Sequence, residues 1–325
     1  MQQILGIDIG GTKIALVLAQ ADREQISLID KFVFPTQAAQ GYRRTIERLY
    51  QQLDHFIEKH EIDMQKTLTG ISCGGPLDSK NGVILSPPNL IGWDEIEIVK
   101  MLNEKYHCDA FLQNDANACA LAEWQWGAGR QLEHVIFLTY GTGMGAGLIL
   151  NGRLFEGGNG MAGEIGHMRM SQTGPVGYGK IGSFEGFTSG SGIVQLAEAF
   201  ILQELQKGVR LDRYESDYKN RQLTTKKIFE YARQGDRLAE EIVACHAGYL
   251  GHGLAVLIDL LNPQRIILGT IYIHDADLLA DKIKDVIAKE ALARSAGICD
   301  IVPAGLGVNV GDYGAAAAAY YHSNQ

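Results

Sequence analysis

Apolar residues near the start of the chain form runs broken by turn residues, a pattern that predicts strand, turn and strand. The run from Ile4 ends at Gly10-Gly11-Thr12, and Ile14-Ala15-Leu16-Val17-Leu18 resumes as a second strand. Between Gln40 and His60 the residues Tyr42, Ile46, Leu49, Leu53, Phe56 and Ile57 recur at helical spacing. Leu68 to Cys73 reads as a short strand stopping at Gly74-Gly75-Pro76. A Pro-Pro-Asn loop at 87–89 leads into an amphipathic stretch from Glu95 to Tyr106. Ala110 to Gln113 is strand-like, and at Asn114-Asp115 it hands over to a helix over Ala116–Trp126.

The opening pattern then returns. Val135 to Thr139 is apolar and runs into Gly141-Thr142-Gly143-Met144-Gly145, and Ala146–Leu150 continues as a strand. This echo of residues 4–18 predicts a duplicated architecture of two similar lobes. Residues 157–190 are rich in glycine and poor in long apolar side chains, which reads as ordered loops around a site. Helical patterning dominates from Thr224, with one long helical region over Leu238–Leu261. Asn262-Pro263 ends it, Arg265–Leu268 is a strand closing at Gly269, and Gly314 followed by five alanines predicts a C-terminal helix.

Composition narrows the function. Of 325 residues, 46% are hydrophobic and 21% charged, enough for a sizeable core. The net charge of −9 speaks against a nucleic-acid partner, because few cations are left to neutralise phosphates, and against adhesion to anionic membranes. No run of 18 apolar residues occurs and no basic segment precedes the N-terminal strand, so neither a membrane span nor a signal peptide is expected. The five cysteines are scattered without a CxxC pair, as in free thiols of a reducing, cytoplasmic compartment.

Three constellations carry candidate chemistry. The first is the pair of glycine turns. Gly10 and Gly11, with Gly141 and Gly143, would let backbone N–H groups approach phosphate oxygens, and Thr12 and Thr142 add hydroxyl donors. Asp8, beside the first turn, suits Mg²⁺ held directly or through water. One such turn is equally a plain β-hairpin; two matching ones point to phosphate. No GxxxxGK[ST] motif occurs. The second is Asn114-Asp115, at the end of a strand opening a helix. These residue types suit an N-cap, and they also suit a general base that takes a hydroxyl proton during phosphoryl transfer. The third is Glu164, His167, Glu185 and Asn89, polar groups of the kind that pair with a polyhydroxylated ligand. Each of these alone reads more readily as a surface polar group, and His167 as a satisfied core histidine.

In this order, Leu5-Gly6-Ile7-Asp8-Ile9-Gly10-Gly11-Thr12-Lys13, Gly75-Pro76, Pro88 to Trp93, Asn114-Asp115-Ala116-Asn117, Gly141 to Gly145, Gly163-Glu164-Ile165-Gly166-His167 and Leu261-Asn262-Pro263 span nearly the whole chain. Together they resemble the ROK family of sugar kinases and related repressors, within the hexokinase/actin ATPase superfamily. The resemblance implies an α/β, two-lobed, ribonuclease-H-like fold with ATP and sugar in the interlobe cleft. It implies a smaller lobe of residues 1–117 plus 312–325, a larger lobe of 118–311, and a homodimer. Asp115 would be the catalytic base. Gly75, Asn89, Asn114, Asp115, Glu164, His167 and Glu185 would contact sugar. Asp8, Gly10, Gly11, Thr12, Lys13, Gly141, Thr142, Gly143, Gly269 and Thr270 would cradle Mg-ATP. The activity implied is transfer of phosphate to a hydroxyl, expected to be the 6-hydroxyl, of a hexose or N-acylhexosamine.

Two departures from the family pattern stand out. Val176, Tyr178 and Ser183 occupy the positions where the family carries three zinc-binding cysteines, so no zinc site is expected. The loop would instead hold its shape by apolar packing of Val176, Tyr178 and Phe184. Thr270 replaces a glycine next to the adenosine and would narrow or reorient that pocket. Two rivals remain. One is a non-catalytic sugar sensor, although an N-terminal DNA-binding domain is not expected where the first strand starts at residue 4. The other is an actin- or chaperone-like ATPase with a protein partner.

Overall fold

The computed structural model describes residues 1–324. Strands β1 (Gln2–Ile9) and β2 (Lys13–Ala21) form the expected hairpin, with Ile9 opposite Ile14. A third strand, β3 (Ile26–Pro35), pairs antiparallel with β2. It gave no sequence signal because it is largely solvent-facing, with only Phe34 buried. Helix α1 (Tyr42–His60) buries Ile46, Leu49, Leu53 and Phe56, the residues whose spacing announced it. Then follow β4 (Leu68–Cys73), the short antiparallel pair β5 (Leu77–Asp78) and β6 (Val83–Ile84), α2 (Ile98–Tyr106), β7 (Ala110–Asn114) and α3 (Asp115–Trp126). Helix α2 starts later than the amphipathic stretch at Glu95, because Ile96 first bridges back to Ile84.

Strands β8 (Val135–Leu138), β9 (Ala146–Leu150) and β10 (Arg153–Leu154) repeat the opening design. The glycine-rich stretch holds a 3₁₀ turn at Ile165–His167, the two-residue strands β11 (Val176–Gly177) and β12 (Lys180–Ile181), and α4 (Phe184–Thr188). Five helices and a strand follow: α5 (Gly190–Gln206), α6 (Asp212–Lys219), α7 (Thr225–Arg233), α8 (Arg237–Leu261), β13 (Arg265–Leu268) and α9 (Thr270–Glu290). The chain ends with α10 (Ala293–Ala296), β14 (Asp300–Pro303) and α11 (Val310–Ser323).

Two five-stranded sheets share one plan, in the orders β3-β2-β1-β4-β7 and β10-β9-β8-β13-β14. In the first, β1, β4 and β7 run parallel; in the second, β13 and β14 do. The duplication read from the glycine turns is therefore a duplication of sheets.

Compact packing divides the chain into one unit of Met1–Phe137, Gly147–Gly163 and Ala304–Gln325, and a second of Leu138–Ala146 and Glu164–Pro303. Helix α3 lies within the first unit. This helix is buried on nearly every side, and its alanines meet α11, whose Ala315 to Ala319 are buried in turn. Glu123 locks the arrangement: fully buried, it accepts hydrogen bonds from Ala128 N (2.7 Å), Gly305 N (2.9 Å) and Leu306 N (2.8 Å). In the second unit α8 is long and apolar enough to cross a membrane by length and composition, but most of it is buried among helices. It is the spine of that unit.

Candidate active site

In the first unit the carboxyl ends of three parallel strands stand abreast. Asp8 pairs in register with Ser72, and Ser72 with Gln113, one step before Asn114. Ligands of α/β sheets bind at such strand ends. Asp8 is half-buried, and its carboxyl is pushed up to about 7. Loss of water is the main cause, and repulsion from Asp115 adds to it; a hydrogen bond from Ser72 and the charge of Lys13 act the other way. Asp115 keeps an accessible face, and its Oδ1 accepts from Ala116 N at 2.8 Å. Protein crowding raises its carboxyl too, against that hydrogen bond.

The competing readings of Asn114-Asp115 separate here. Asn114 caps α3, accepting from Ala116 N at 3.0 Å and Asn117 N at 3.3 Å. Asp115 is the first residue inside the helix and is free to face a ligand. The junction is braced by Gln113, which no sequence signal marked. Its Oε1 accepts from Asn114 N (2.8 Å) and Asn117 Nδ2 (3.2 Å), while its Nε2 donates to Glu156 (3.2 Å).

The first glycine turn closes with Gly10 N donating to Lys13 O at 3.0 Å. Thr36 straps it, through its amide to Thr12 O (2.9 Å) and its hydroxyl to Gly10 O (2.5 Å). A Cβ on Gly11 would lie 2.6 Å from that of Asn89, so only glycine lets the 87–93 loop sit on the turn. A Cβ on Gly75 would lie 3.4 Å from Asn114 Nδ2. Asp8, Gly10 to Lys13, Gly75, Asn89, Asn114 and Asp115 therefore share one neighbourhood. Trp93, in the same loop, is fully buried.

Among the described residues no three or more His, Cys, Asp or Glu side chains converge as a metal cage. The oxygen donor Asp8, with its raised proton affinity, nonetheless fits a divalent cation that takes its remaining ligands from phosphate and water.

The second unit gathers the rest. Glu185 Oε2 accepts from Met144 N at 3.0 Å, so this residue braces the second glycine turn. A Cβ on Gly166 would lie 2.2 Å from Met144 O and 3.3 Å from the Cβ of Glu185, which seats the Glu164–His167 segment against the same turn. Both Glu164 and His167 are exposed. A Cβ on Gly141 would lie 3.5 Å from Thr270 Oγ1, and a Cβ on Gly269 would lie 2.2 Å from Thr139 O. Gly141 to Gly143, Glu164, His167, Glu185, Gly269 and Thr270 are thus neighbours within this unit.

The loop before Glu185 corrects the packing expected for it. Phe184 is fully buried, but Val176 and Tyr178 are 40% and 64% exposed. Hydrogen bonds hold the loop instead. Buried Ser183 caps α4 by accepting from Gly186 N at 3.0 Å and donates to Gly177 O at 3.3 Å. Gln195 pairs with both backbone groups of Val176 (2.9 and 3.0 Å), and Lys180 Nζ reaches His167 O at 2.6 Å.

Two similar sheets, each carrying a glycine turn, with carboxylates at the strand ends of the first, define a protein of the ribonuclease-H-like actin/hexokinase ATPase fold. The chain belongs to the ROK family, whose sequence profile matches residues 4–321. It is 32% identical to a glucokinase of Halalkalibacterium halodurans, over 95% of this chain and 92% of that protein. It is 28% identical to a xylose repressor of Caldicellulosiruptor bescii, over 87% of this chain and 69% of the repressor. Among solved structures, it is similar to a ROK family glucokinase from Streptomyces griseus in complex with glucose and AMPPNP. That likeness has a TM-score of 0.77 and 28% identity, covering 97% of this chain and 98% of that one.

Proposed function

We propose that this protein is an ATP-dependent sugar kinase, transferring the γ-phosphoryl group to the 6-hydroxyl of a hexose or N-acylhexosamine. The observation that carries the reading is the accessible carboxylate of Asp115 one residue past the cap of α3, beside Asp8 and the loop bearing Asn89. In this reading Asp115 accepts the hydroxyl proton as oxygen attacks phosphorus, and Gly75, Asn89 and Asn114 orient the sugar. Glu164, His167 and Glu185 bind further hydroxyls. The amides and hydroxyls of Gly10 to Lys13 and Gly141 to Gly143 hold the phosphates, with Gly269 and Thr270 at the nucleoside end. Asp8 would hold Mg²⁺, whose charge offsets that of the phosphates. The glucokinase relatives, and the glucose and AMPPNP bound by the S. griseus enzyme, support this reading.

The repressor relative supports a second reading, a sugar sensor. A base at Asp115 would be idle in a sensor. An ADP-release assay over glucose, mannose, fructose, allose and N-acetylhexosamines separates the two: a kinase releases ADP in step with one of these sugars, and a sensor binds sugar without turnover.

A further inference from the structure

Tyr140, the residue before the second glycine turn, has a left-handed backbone with φ of 40°. Such a conformation is strained for a non-glycine residue and persists only where the surroundings enforce it. Three contacts do so here. Its carbonyl accepts from Ile271 N at 3.0 Å. Its ring is fully buried and stacks on that of His246, centroids 5.8 Å apart and planes 13° apart. Its hydroxyl lies 2.6 Å from His246 Nε2.

The histidine completes a relay. His246 is fully buried in α8, and its Nδ1 lies 3.0 Å from Phe187 O. A carbonyl only accepts, so Nδ1 carries the proton and Nε2 receives the tyrosine's. Burial pushes the imidazole down to about 4, which keeps it in this neutral form at physiological pH. Phe187 belongs to α4, and Glu185, two residues earlier on that helix, holds Met144 N at the far side of the turn. Gly190, just beyond α4, donates to Gly141 O at 2.8 Å. The segment 185–190 thus grips the turn at its entry and past its tip. An apolar pair would fill the Tyr140–His246 site without the cost of burying polar groups, so what the polar pair adds is fixed orientation.

We propose that Tyr140 and His246 are positioning residues for the turn Gly141–Gly145, holding its shape through α4. The proposal rests on the reading of that turn as a phosphate cradle. Neither residue touches a ligand; both act through the backbone amides they align.

The test uses Tyr140→Phe, which strands Nε2 in the interior, and the double variant Tyr140→Phe/His246→Leu, which removes both polar groups. Steady-state kinetics with Mg-ATP and the sugar turned over best should show KM for ATP raised about tenfold in both variants. KM for the sugar should be unchanged, and the double variant should recover the Tm lost by the single one. In the ligand-free protein, amides 141–145 should exchange hydrogen faster in both variants. A double variant with recovered Tm and wild-type KM for ATP overturns the proposal, and so does unchanged exchange. Wild-type protein that neither binds nor turns over ATP overturns the phosphate reading and this proposal with it; the exchange measurement then reports separately whether the relay orders the turn.

Discussion

The two glycine turns look alike in sequence and are built differently. Gly10 to Lys13 is held by backbone and by the side chain of Thr36, and charge surrounds Asp8 beside it: Asp115 and Asp312, with Lys13 opposing. Gly141 to Gly145 is held by side chains from several elements: Glu185 on Met144 N, Thr139 Oγ1 on Gly145 N at 3.0 Å, and the Tyr140–His246 pair. One turn sits in a field of carboxylates and the other in a scaffold. A duplicated fold need not duplicate its chemistry. The acidic strand ends concentrate reactivity in the first unit, and the second supplies rigid donors.

Substitutions can break that contrast. The largest effect is expected at the acids. Asp115→Asn should lower kcat by about 10²–10⁴-fold while sugar binding, measured by calorimetry, stays near wild type. Retained turnover would remove Asp115 from the base role.

Asp8→Asn should abolish activity yet stabilise the ligand-free protein. The sign follows from the raised folded pKa. For a carboxyl near 7 in the fold and 3.8 outside it, the folded state binds the proton more tightly. Its contribution is fully present below pH 4 and is lost as pH rises toward 7. Removing the ionisable group should therefore raise stability at pH 8 by as much as about 4 kcal/mol and flatten the pH dependence between about 4 and 7, read by denaturant titration. An unchanged profile would mean that Asp8 is better solvated, and less repelled by its acidic neighbours, than its place at the strand end implies.

Smaller effects probe the scaffold. Ser183→Ala removes the cap of α4 and should cost about 1 kcal/mol in thermal or denaturant unfolding, with KM for ATP rising alongside. Tyr178→Ser should change stability by less than about 0.5 kcal/mol, because that ring is mostly in solvent. A large loss there would restore apolar packing as the force that shapes the loop.

Much of the fold was legible locally. The helix at 42–60, the strands at 68–73 and 265–268 and the long helix before Asn262 follow from spacing and breakers acting within a few residues. Strand β3 was not, because its exposed, mixed pattern resembles a loop until β2 offers it a partner. At the site, residue types named the acids, amides and glycines but could not divide their tasks. Asn114 and Asp115 are equally good caps on paper, and the helix start decides that Asn114 caps. Glu185 reads as a sugar ligand, and only the fold shows that one of its oxygens also accepts from Met144 N. Gln113, Tyr140 and His246 carried no motif at all; a polar side chain in an apolar strand or helix is ambiguous until its partner is known.

By itself, then, the sequence determined the family, the twin turns and the identity of the candidate chemical groups, since these depend on residue type and short spacing. The tertiary structure alone decided which groups meet. The 2.6 Å contact between Tyr140 and His246 joins residues 106 positions apart, and the rise of Asp8 to about 7 depends on water excluded by strands from elsewhere in the chain. Distance and desolvation are properties of packing, and no local pattern encodes them.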